Sequence, residues 1–296
     1  MLRFLVNPAS GGGRARRHLG RIRRRAETLE GVVEVSRNAA DLVARARQAV
    51  ADGVPRLVVA GGDGTMHLTI QELAASRCEL ALLPIGRGND LAASLGIPRR
   101  FDEALDLACG GAVQAIDLGR AGDRWFHSYG GAGFDSAVSV TADHHPRWWP
   151  DRLTYVIAVL RTLIGFRPPT ARVTWDGGSF AGPVMFVTAC NAPLLGGGMK
   201  MAPAADLRDG LLDLVIVRRV TKPALLRVFP QVYRGTHVDH PALSFHRTRK
   251  ATLELEPPMP LGCDGELAGK VGSKPLQLSV QPSALRVVRP PASAGR

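Results

Sequence analysis

The chain has 296 residues, of which 45% are hydrophobic and 22% are charged. These proportions are normal for a globular protein and argue against intrinsic disorder or a coiled coil. The formal net charge is +12. A protein this basic is attracted to something anionic, which here means a nucleic acid, a nucleotide or an acidic membrane surface.

The sequence lacks the usual signals of a secreted or membrane-spanning protein. The apolar part of its N-terminus is too short for a signal peptide. The longest apolar stretch, residues 153–166, is interrupted by Arg161 and is shorter than the roughly 20 residues that a bilayer span needs. The four cysteines have neither zinc spacing nor the density of a disulfide framework. We therefore expect a cytoplasmic protein that touches membranes only from outside.

The first third of the chain alternates short apolar runs with amphipathic segments. Strands are predicted at residues 2–6, 32–35, 56–60 and 80–84, and helices at 14–30, 39–51 and 67–75, with a further helix ending at residue 95. This alternation is typical of a parallel sheet covered by helices on both faces. Ligands of such sheets bind at the carboxyl ends of the strands.

The pattern changes after about residue 116, where short β-like runs separated by glycine and proline dominate. Strands are predicted at 125–129, 171–175, 184–189, 212–217, 253–256 and 276–280, with one helical insertion at 150–166. This spacing indicates an antiparallel sandwich or barrel. The sequence therefore predicts a second, mostly β domain.

Three glycine-rich loops follow predicted strands of the first domain, and the most specific is GGDGT at residues 61–65. Its glycines let backbone N–H groups approach a phosphate closely. Asp63 offers a carboxylate to Mg²⁺, and Thr65 can bind a phosphate oxygen and cap the next helix. For this segment alone, a plain strand-to-helix turn with a capping residue is the alternative.

Two further loops favour a nucleotide site over a set of plain turns. NPASG at residues 7–11 is followed by Gly12, Gly13 and a run of arginines, and GRGND at residues 86–90 adds the cation Arg87 and the carboxylate Asp90. A Walker A loop is absent. Because the loops follow strands of one parallel sheet, we expect them to cluster in space.

Phosphoryl transfer also needs a carboxylate that accepts the proton of the acceptor hydroxyl. Asp264 and Glu266 are two residues apart, so on a strand both would point to one face. One would position Mg²⁺ or water while the other acts as the base, and the sequence leaves open which is which. For this segment alone, the alternative is a hairpin turn at Asp264-Gly265 with both acids in solvent.

Taken in order, the motifs resemble those of the diacylglycerol kinase catalytic-domain superfamily, which includes bacterial diacylglycerol kinases and sphingosine kinases. NPASG, GGDGT and GRGND match the three nucleotide loops of the family in order and spacing. The second half adds GAGFD at 131–135, Asn191 with three glycines at 196–198, Ala202-Pro203, DGLLD at 209–213 and DGE at 264–266. The resemblance covers nearly the whole chain.

The resemblance implies a Rossmann-like α/β nucleotide-binding domain of the NAD kinase and diacylglycerol kinase type, followed by an all-β sandwich domain that receives the lipid. The domains would span residues 1–118 and 119–282, with 283–296 returning to the first domain. The active site would lie in the cleft between them.

The resemblance also implies ATP as a substrate and Mg²⁺ as the metal ion. The residues that would contact the nucleotide are Asn7, Pro8, Ala9, Ser10, Gly11, Ser36, Gly61, Gly62, Asp63, Gly64, Thr65, Met66, His67, Arg87, Asn89 and Asp90. Glu266 matches the proton acceptor of the family, so the candidate catalytic residues are Glu266, Asp264 and Asp63. A structural Mg²⁺ is implied at Asp209 together with the backbone carbonyls of Asp206 and Leu211.

Two positions depart from the family pattern. Arg87 stands where relatives commonly have threonine, and we expect its guanidinium to contact a phosphate. His67 stands where many relatives have a smaller or an amide residue, so a solvated or capping histidine is the alternative to a nucleotide contact.

Several segments suit a membrane surface. Trp148 and Trp149, with Arg152, Arg161 and Arg167 nearby, fit a contact with anionic headgroups, although an ordinary core helix fits the same residues. The seven arginines in residues 14–25 fit a solvated helix face, membrane docking or attraction of ATP. Nucleic acid is disfavoured because the chain is only 5% aromatic and shows no stacking platform.

The sequence therefore predicts a cytoplasmic, transiently membrane-associated lipid kinase that depends on ATP and Mg²⁺ and phosphorylates a lipid hydroxyl, first of all that of diacylglycerol. A sphingosine- or ceramide-type acceptor is the second candidate. An NAD kinase shares GGDGT but would normally carry an Asn-x-Gly-x-x-Gly-Phe-type segment where this chain has GRGND. A nucleotide- or lipid-binding protein without turnover is the other rival. The oligomeric state, including a homodimer, stays open.

Overall fold

The computed structural model of the chain describes residues 1–143 and 151–291. The N-terminal part is an α/β unit whose sheet contains β1 (Arg3–Val6), β2 (Val32–Val35), β3 (Arg56–Gly61) and β4 (Glu79–Pro84). These strands pair in parallel in the order β4-β3-β1-β2. The strands β1, β3 and β4 are nearly continuous runs of buried apolar residues, as expected for strands covered on both faces, whereas the edge strand β2 is only partly buried.

The helices of this part follow the strands in alternation. They are α1 (Ser10–Thr28), α2 (Ala39–Ala51), α3 (Asp63–Leu73), α4 (Asp90–Ser94) and α5 (Phe101–Gly110). Local signals fix their ends; for example, the Asn38 side chain accepts the Asp41 N–H and so caps α2. The sequence prediction missed α5, whose apolar positions fall between two glycine-rich segments, and it started α3 four residues late.

The C-terminal part is a β-sandwich, and its described residues include three helices. Its strands are β5 (Ala112–Ala121), β6 (Arg124–Phe126), β7 (Tyr129–Gly133), β8 (Thr170–Trp175), β9 (Gly178–Cys190), β10 (Leu212–Arg218), β11 (Leu243–Thr248), β12 (Lys250–Glu256), β13 (Met259–Cys263), β14 (Glu266–Val271) and β15 (Leu276–Arg289). Its helices are α6 (Phe134–Asp143), α7 (Asp151–Gly165) and α8 (Lys222–Arg234).

This architecture confirms the α/β domain followed by a β-sandwich, but the prediction of a single helical insertion was wrong. The helix α7 matches that insertion, and α6 and α8 are additional. The helix α8 begins at an N-cap formed by Thr221 and ends at Gly235, which has a left-handed φ of +75°. These end signals are visible in the sequence, but the β-like runs on either side obscured them.

The last strand joins the two parts into one sheet. The first half of β15 pairs with β12, its second half runs parallel to β4, and β5 pairs along both halves. Ser283 lies between the halves with φ +53°, and its N–H donates to Asp117 Oδ1 at 2.8 Å. Because β5 crosses residue 118 and β15 crosses residue 282, the proposed domain limits stay a prediction.

In the part of the chain whose side chains are described, the buried apolar residues form three clusters. One packs helices onto the parallel sheet, and the second fills the sandwich. The third lies between β7, β9 and β10 and the helices α6 to α8, and Phe134, Met185 and Val215 belong to it. Within the described ranges, no helix is long and apolar enough to cross a bilayer.

Candidate active site

The three glycine-rich loops meet at the carboxyl ends of β1, β3 and β4, as predicted. Asn7 Nδ2 donates to Thr65 Oγ1 at 2.9 Å, and Ser10 Oγ lies 3.3 Å from the same oxygen. Arg14 Nη2 donates to the carbonyl of Gly86 at 3.0 Å. These side chains therefore brace the loops against one another.

The start of α1 leaves an open backbone surface beside these loops. Gly11, Gly12 and Gly13 have φ values of +62°, +67° and +87°, a left-handed conformation that favours glycine. A β-carbon at Gly11 would clash with the carbonyl of Ile85, whereas one at Gly13 would meet nothing within 4 Å. The exposed Arg87 lies across this opening, with Nη2 3.9 Å from the position of a β-carbon on Gly12.

Asp63 joins GGDGT to GRGND. Its carboxylate accepts the N–H of Asn89 at 2.6 Å and of Asp90 at 2.7 Å. Gly62 and Gly86 pack backbone to backbone, since a β-carbon on Gly62 would lie 2.9 Å from Gly86 Cα. The two loops therefore form one rigid wall of the site.

Asp90 in turn connects this wall to the C-terminal part. Its buried carboxylate accepts the N–H of Gly197 at 2.7 Å and of Gly198 at 2.8 Å. Burial raises the pKa of Asp90 above its usual range, although the two amide donors oppose the shift. Asp90 thus holds the glycine loop 196–198 against the nucleotide loops.

The structure contradicts the expectation that Asp264 and Glu266 lie on one strand face. Asp264 and Gly265 form the turn between β13 and β14, with φ values of +53° and +89°. Asp-Gly favours such a turn because both positions need positive φ. The Asp264 side chain points inward and is 1% exposed, whereas Glu266 begins β14 and is exposed.

Asp264 is surrounded by hydrogen-bond donors. Its carboxylate accepts the backbone N–H groups of His127 (3.0 Å), Ser128 (2.8 Å) and Tyr129 (3.2 Å), and His67 Nδ1 donates to Oδ2 at 3.0 Å. Burial by itself would raise the pKa of Asp264, but His127 and His67 outweigh it and hold the pKa below its usual range. Asp264 is therefore an anchored anion.

Glu266 lies over the N-terminus of α3. A β-carbon on Gly64 would be 2.8 Å from Glu266 Oε1, so the exposed carboxylate rests directly above Gly64 and next to Asp63. A helix N-terminus stabilises a negative charge. The structure therefore brings two of the predicted catalytic side chains, Asp63 and Glu266, to the first turn of one helix.

Besides Thr65 and Asp90, three predicted nucleotide contacts have buried side chains. Ser36 Oγ donates to the carbonyl of Val6 at 3.3 Å, Met66 packs into the core, and His67 is bound to Asp264. As they lie here, these side chains offer little surface to a ligand. Their contacts with a nucleotide stay predictions, as do those of Pro8 and Ala9 in the first loop.

The predicted structural Mg²⁺ site shows a different set of contacts. Asp209 Oδ1 accepts the Leu211 N–H at 2.9 Å and Oδ2 is paired with Arg247, while the Asp206 carboxylate is paired with Arg208. Within residues 1–143 and 151–291, no group of three acidic, histidine or cysteine side chains could hold a metal ion. Both carboxylates are therefore paired with arginines as arranged here, and the Mg²⁺ site with its backbone carbonyls stays a prediction.

An apolar cavity of about 80 Å³ lies beside the carboxylates in the third cluster. Its lining includes Phe134, Phe186 and Phe229, and Asp135 is its carboxylate. Burial raises the pKa of Asp135 to about 6. Leu195 lines this cavity and also a much smaller one that is bordered by Asp63, Asp90 and Asp264. One side chain therefore separates the apolar cavity from the acidic cluster.

Comparisons with known proteins agree with this arrangement. The family model described as the diacylglycerol kinase catalytic domain matches residues 1–121, and the model described as the YegS C-terminal NAD kinase beta sandwich-like domain matches residues 129–289. The diacylglycerol kinase of Mycobacterium tuberculosis is 35% identical over 97% of this chain and 94% of that protein. The chain belongs to the diacylglycerol kinase and YegS-like lipid kinase family.

Other relatives of this lipid kinase span similar lengths. The diacylglycerol kinase of Bacillus subtilis is 27% identical, with 90% of each chain covered. A probable YegS-like lipid kinase of Shewanella frigidimarina is 29% identical over 91% of this chain and 87% of that protein. A crystal structure of a diacylglycerol kinase from Bacillus anthracis has a TM-score of 0.76 at 19% identity and covers 98% of this chain and 97% of that chain, which supports the fold.

Sequence reasoning missed two groups of this lipid kinase site. His127 is buried, its Nε2 lies 3.5 Å from Asp264 Oδ2, and that nitrogen has no hydrogen-bond partner among the described residues. Asp117 accepts the N–H groups of Gly210 and Ser283. Neither belongs to a glycine motif, so nothing local singled them out.

The predicted membrane residues Trp148 and Trp149 lie outside the described residues.

Proposed function

We propose that this lipid kinase transfers the γ-phosphate of ATP, with Mg²⁺, to the free hydroxyl of diacylglycerol. The observation that carries the proposal is the position of Asp63 and Glu266. Asp63 begins α3 and Glu266 lies over Gly64 in the same first turn. Asp63 also joins the glycine loops and borders the small cavity that shares Leu195 with the apolar cavity. A phosphate donor and a lipid acceptor can approach this point from opposite sides.

The glycine loops support the nucleotide half of the proposal. Phosphoryl transfer depends mainly on positioning and on charge neutralisation. The left-handed glycines 11–13 expose backbone at the start of α1, and Arg87 brings a guanidinium to the same opening. Cross-loop bonds from Asn7, Ser10 and Arg14 hold this opening in shape.

The carboxylate of Asp63 fits a Mg²⁺ that is held mainly by the substrate. Its two oxygens accept backbone N–H groups and keep lone pairs for a further ligand. Mg²⁺ in kinase sites takes one or two carboxylates, with phosphates and water completing its shell. When bound, the ion neutralises phosphate charge.

Glu266 is the base that the contacts favour. A base must reach the hydroxyl proton, and Glu266 is exposed. Asp264 is enclosed by four donors that hold its pKa low, so it is a weak proton acceptor. We therefore propose that Glu266 accepts the proton of the acceptor hydroxyl and that Asp264 stabilises the turn between β13 and β14.

The apolar cavity supports a lipid as the acceptor. It is enclosed by apolar residues of α6 and α8 and of β9 and β10, and Leu195 is the shared wall with the acidic cluster. The cavity is small as it stands, so an acyl chain would have to widen it. A lipid held there would place its polar end towards Asp63.

The experiment is transfer of labelled phosphate from ATP and Mg²⁺ to lipids in mixed micelles. Diacylglycerol, sphingosine and ceramide are compared, with NAD as a soluble acceptor and a reaction without acceptor. Label in diacylglycerol that falls about 10²- to 10⁴-fold in Glu266→Gln is expected, since general-base catalysis contributes about that much. Label in sphingosine, ceramide or NAD alone would identify that compound as the acceptor in place of diacylglycerol. ATP binding without transfer to any acceptor would indicate a binding protein.

A matched pair of glycine variants tests the place of Glu266 independently. Gly64→Ala puts a methyl group 2.8 Å from Glu266 Oε1, whereas Gly20→Ala in α1 meets nothing within 4 Å. We expect Gly64→Ala to lower kcat about tenfold by displacing the base while its folding stability is kept. Gly20→Ala should leave kcat unchanged and raise stability by about 0.5–1 kcal/mol. Equal kcat values in the two variants would contradict the assignment.

A further inference from the structure

His67 departs from the family pattern, and its side chain is engaged inside the protein. The residue lies on α3, one helical turn after Asp63, and is 4% exposed. Its Nδ1–H donates to Asp264 Oδ2 at 3.0 Å. The hydrogen bond crosses from a helix of the α/β part to the β13–β14 turn of the sandwich.

The hydrogen bond between His67 and Asp264 also constrains the position of the proposed base, Glu266. The turn Asp264-Gly265 leads directly into Glu266, and the Glu266 carboxylate rests above Gly64. The helix α3 therefore meets this hairpin at two points, with Gly64 under Glu266 and His67 against Asp264. Asp63 belongs to the same first turn of α3, so these contacts also set the separation between Asp63 and Glu266.

The remaining bonds of Asp264 show what the imidazole adds. Three backbone N–H groups, of residues 127, 128 and 129, all belong to the sandwich side. They satisfy the carboxylate but tie it only to its own domain. The imidazole of His67 is the side-chain donor that fixes the same carboxylate to α3.

We infer that His67 is a positioning residue, which holds Glu266 in register with Asp63 by binding Asp264, and that its side chain is not a nucleotide contact. The inference rests on the proposed phosphoryl transfer. It assigns His67 an effect on the rate of transfer and none on the affinity for ATP. A nucleotide contact would have the opposite signature.

Two substitutions of similar size separate the hydrogen bond from the packing. His67→Asn keeps a donor to Asp264, because the amide nitrogen of asparagine is as far along the side chain as Nδ1 of histidine. His67→Leu removes the donor and keeps an apolar group of similar length. Because three other donors remain on Asp264, both variants are expected to fold, which thermal unfolding checks.

The measurements are kcat and KM for ATP with the micellar acceptor, and the Kd of ATP by calorimetry. We expect His67→Leu to lower kcat about tenfold, the scale of a modest misplacement of a catalytic group, while KM and Kd for ATP change less than about twofold. His67→Asn should recover most of kcat. A rise in the Kd of ATP with kcat unchanged, or equal kcat in His67→Leu and wild type, would overturn the inference.

A double substitution tests whether His67 acts through Glu266. If it does, His67→Leu should cost nothing further in a Glu266→Gln background, because residues that act as one unit are not additive. A full additional loss of about tenfold would show that His67 acts in another way and would refute the inference.

A readout without turnover separates this inference from the proposed function. The side-chain carboxyl resonance of Glu266 is followed by NMR in wild type, His67→Leu and His67→Asn. We expect it to shift in the leucine variant and to stay near the wild-type value in the asparagine variant. If wild type phosphorylates no acceptor, the proposed function fails, and the NMR and ATP-binding results still decide the role of His67. An unchanged Glu266 resonance in His67→Leu would overturn it.

Discussion

At the scale of single residues, a two-residue turn separates two acids that stand two positions apart in the sequence. Asp264 has a left-handed φ and faces inward towards four N–H donors. Glu266 begins the next strand and is exposed. Alternation along a strand would have given both acids the same surroundings. The turn gives one acid an anchoring task and leaves the other available for proton transfer.

Asp135, the acid in the apolar cavity, should make the free energy of unfolding depend on pH. Burial raises the pKa of Asp135 to about 6, so between its ordinary pKa and about 6 the folded protein holds a proton that the unfolded chain releases. The contribution of Asp135 to the free energy of unfolding therefore falls as the pH rises through this window and is constant above it, with a total change of at most about 3 kcal/mol. Asp135→Asn should lack this decline.

Urea unfolding of wild type and Asp135→Asn between about pH 4.5 and 7 measures the difference directly. Asp123→Asn is the matched control, because Asp123 is a fully exposed aspartate on the β5–β6 turn. Its pH profile should run parallel to that of wild type. A parallel profile for Asp135→Asn as well would contradict a raised pKa at Asp135.

At the scale of secondary structure elements, α7 and α8 stand out by their exposed apolar surface. Side-chain exposure is described for residues 1–141 and 157–291, and of the eight large hydrophobic side chains that are exposed there, four are on these two helices: Leu160, Ile164, Leu226 and Tyr233. Lys222 Nζ donates to the carbonyl of Ile164 at 2.7 Å, which joins the two helices. Both helices also cover the apolar cavity. An apolar surface at the cover of an apolar cavity is suited to a bilayer.

We predict from this surface that α7 and α8 contact a membrane. Replacing Leu160 and Ile164 together with serine should weaken binding to anionic vesicles about tenfold or more, since both side chains are exposed outside the apolar cavity and each is worth roughly 1–2 kcal/mol of burial. The rate on diacylglycerol in vesicles should fall in step, while the rate on a short-chain, water-soluble diacylglycerol should stay unchanged. Vesicle sedimentation and the two kinetic assays give these values.

Leu267→Ser provides the control for this element. Leu267 is 46% exposed, close to the exposure of Leu160 at 44%, but it belongs to the strand β14 and not to α7 or α8. Its loss should not change vesicle binding. Equal weakening in both proteins would mean that the contact is not specific to α7 and α8.

At the scale of the whole molecule, carboxylate bonds and one shared strand hold the two parts together. Asp90 on α4 accepts two N–H groups from the glycine loop of the sandwich part, and Asp264 on the sandwich part accepts from His67 on α3. The strand β15 pairs with β4 on one side of Ser283 and with β12 on the other. The hydrogen bonds of Asp90 and Asp264 and the pairing of β15 therefore all join the two parts that form the cleft.

The Asp90 connection predicts a loss of both stability and activity in Asp90→Asn. Asparagine has a single acceptor oxygen for two N–H donors, so at this buried side chain the amide NH₂ would face the second N–H donor. The cost should be about 1–3 kcal/mol in the free energy of unfolding, measured by urea titration, and phosphate transfer should fall because the loop 196–198 is no longer fixed.

Asp102→Asn controls for the loss of an aspartate charge alone. Asp102 pairs with Arg21 on the surface, where its side chain is 73% exposed, and surface pairs are worth about 0–1 kcal/mol. Its stability should therefore stay close to that of wild type. Equal free energies of unfolding for Asp90→Asn and Asp102→Asn would mean that the hydrogen bonds of Asp90 do not stabilise the protein.

The sequence by itself determined the features that depend on neighbouring residues. Apolar runs predicted the four parallel strands, the glycine motifs predicted loops at their carboxyl ends, and the order of motifs predicted the family and the α/β plus β-sandwich fold. Each of these follows from local periodicity, turn chemistry or motif spacing, all of which are written along the chain.

Only the tertiary structure decided which partner each polar side chain meets. Asp264 and His67 are separated by almost two hundred positions, and the structure joins them, buries His67 and leaves Glu266 exposed. The structure also reveals the helices α6 and α8 and the cavity that they cover. The reason is physical: a carboxylate has the same local sequence whether it ends in solvent or among four N–H donors, and only the packing of distant segments fixes which of these surroundings it has.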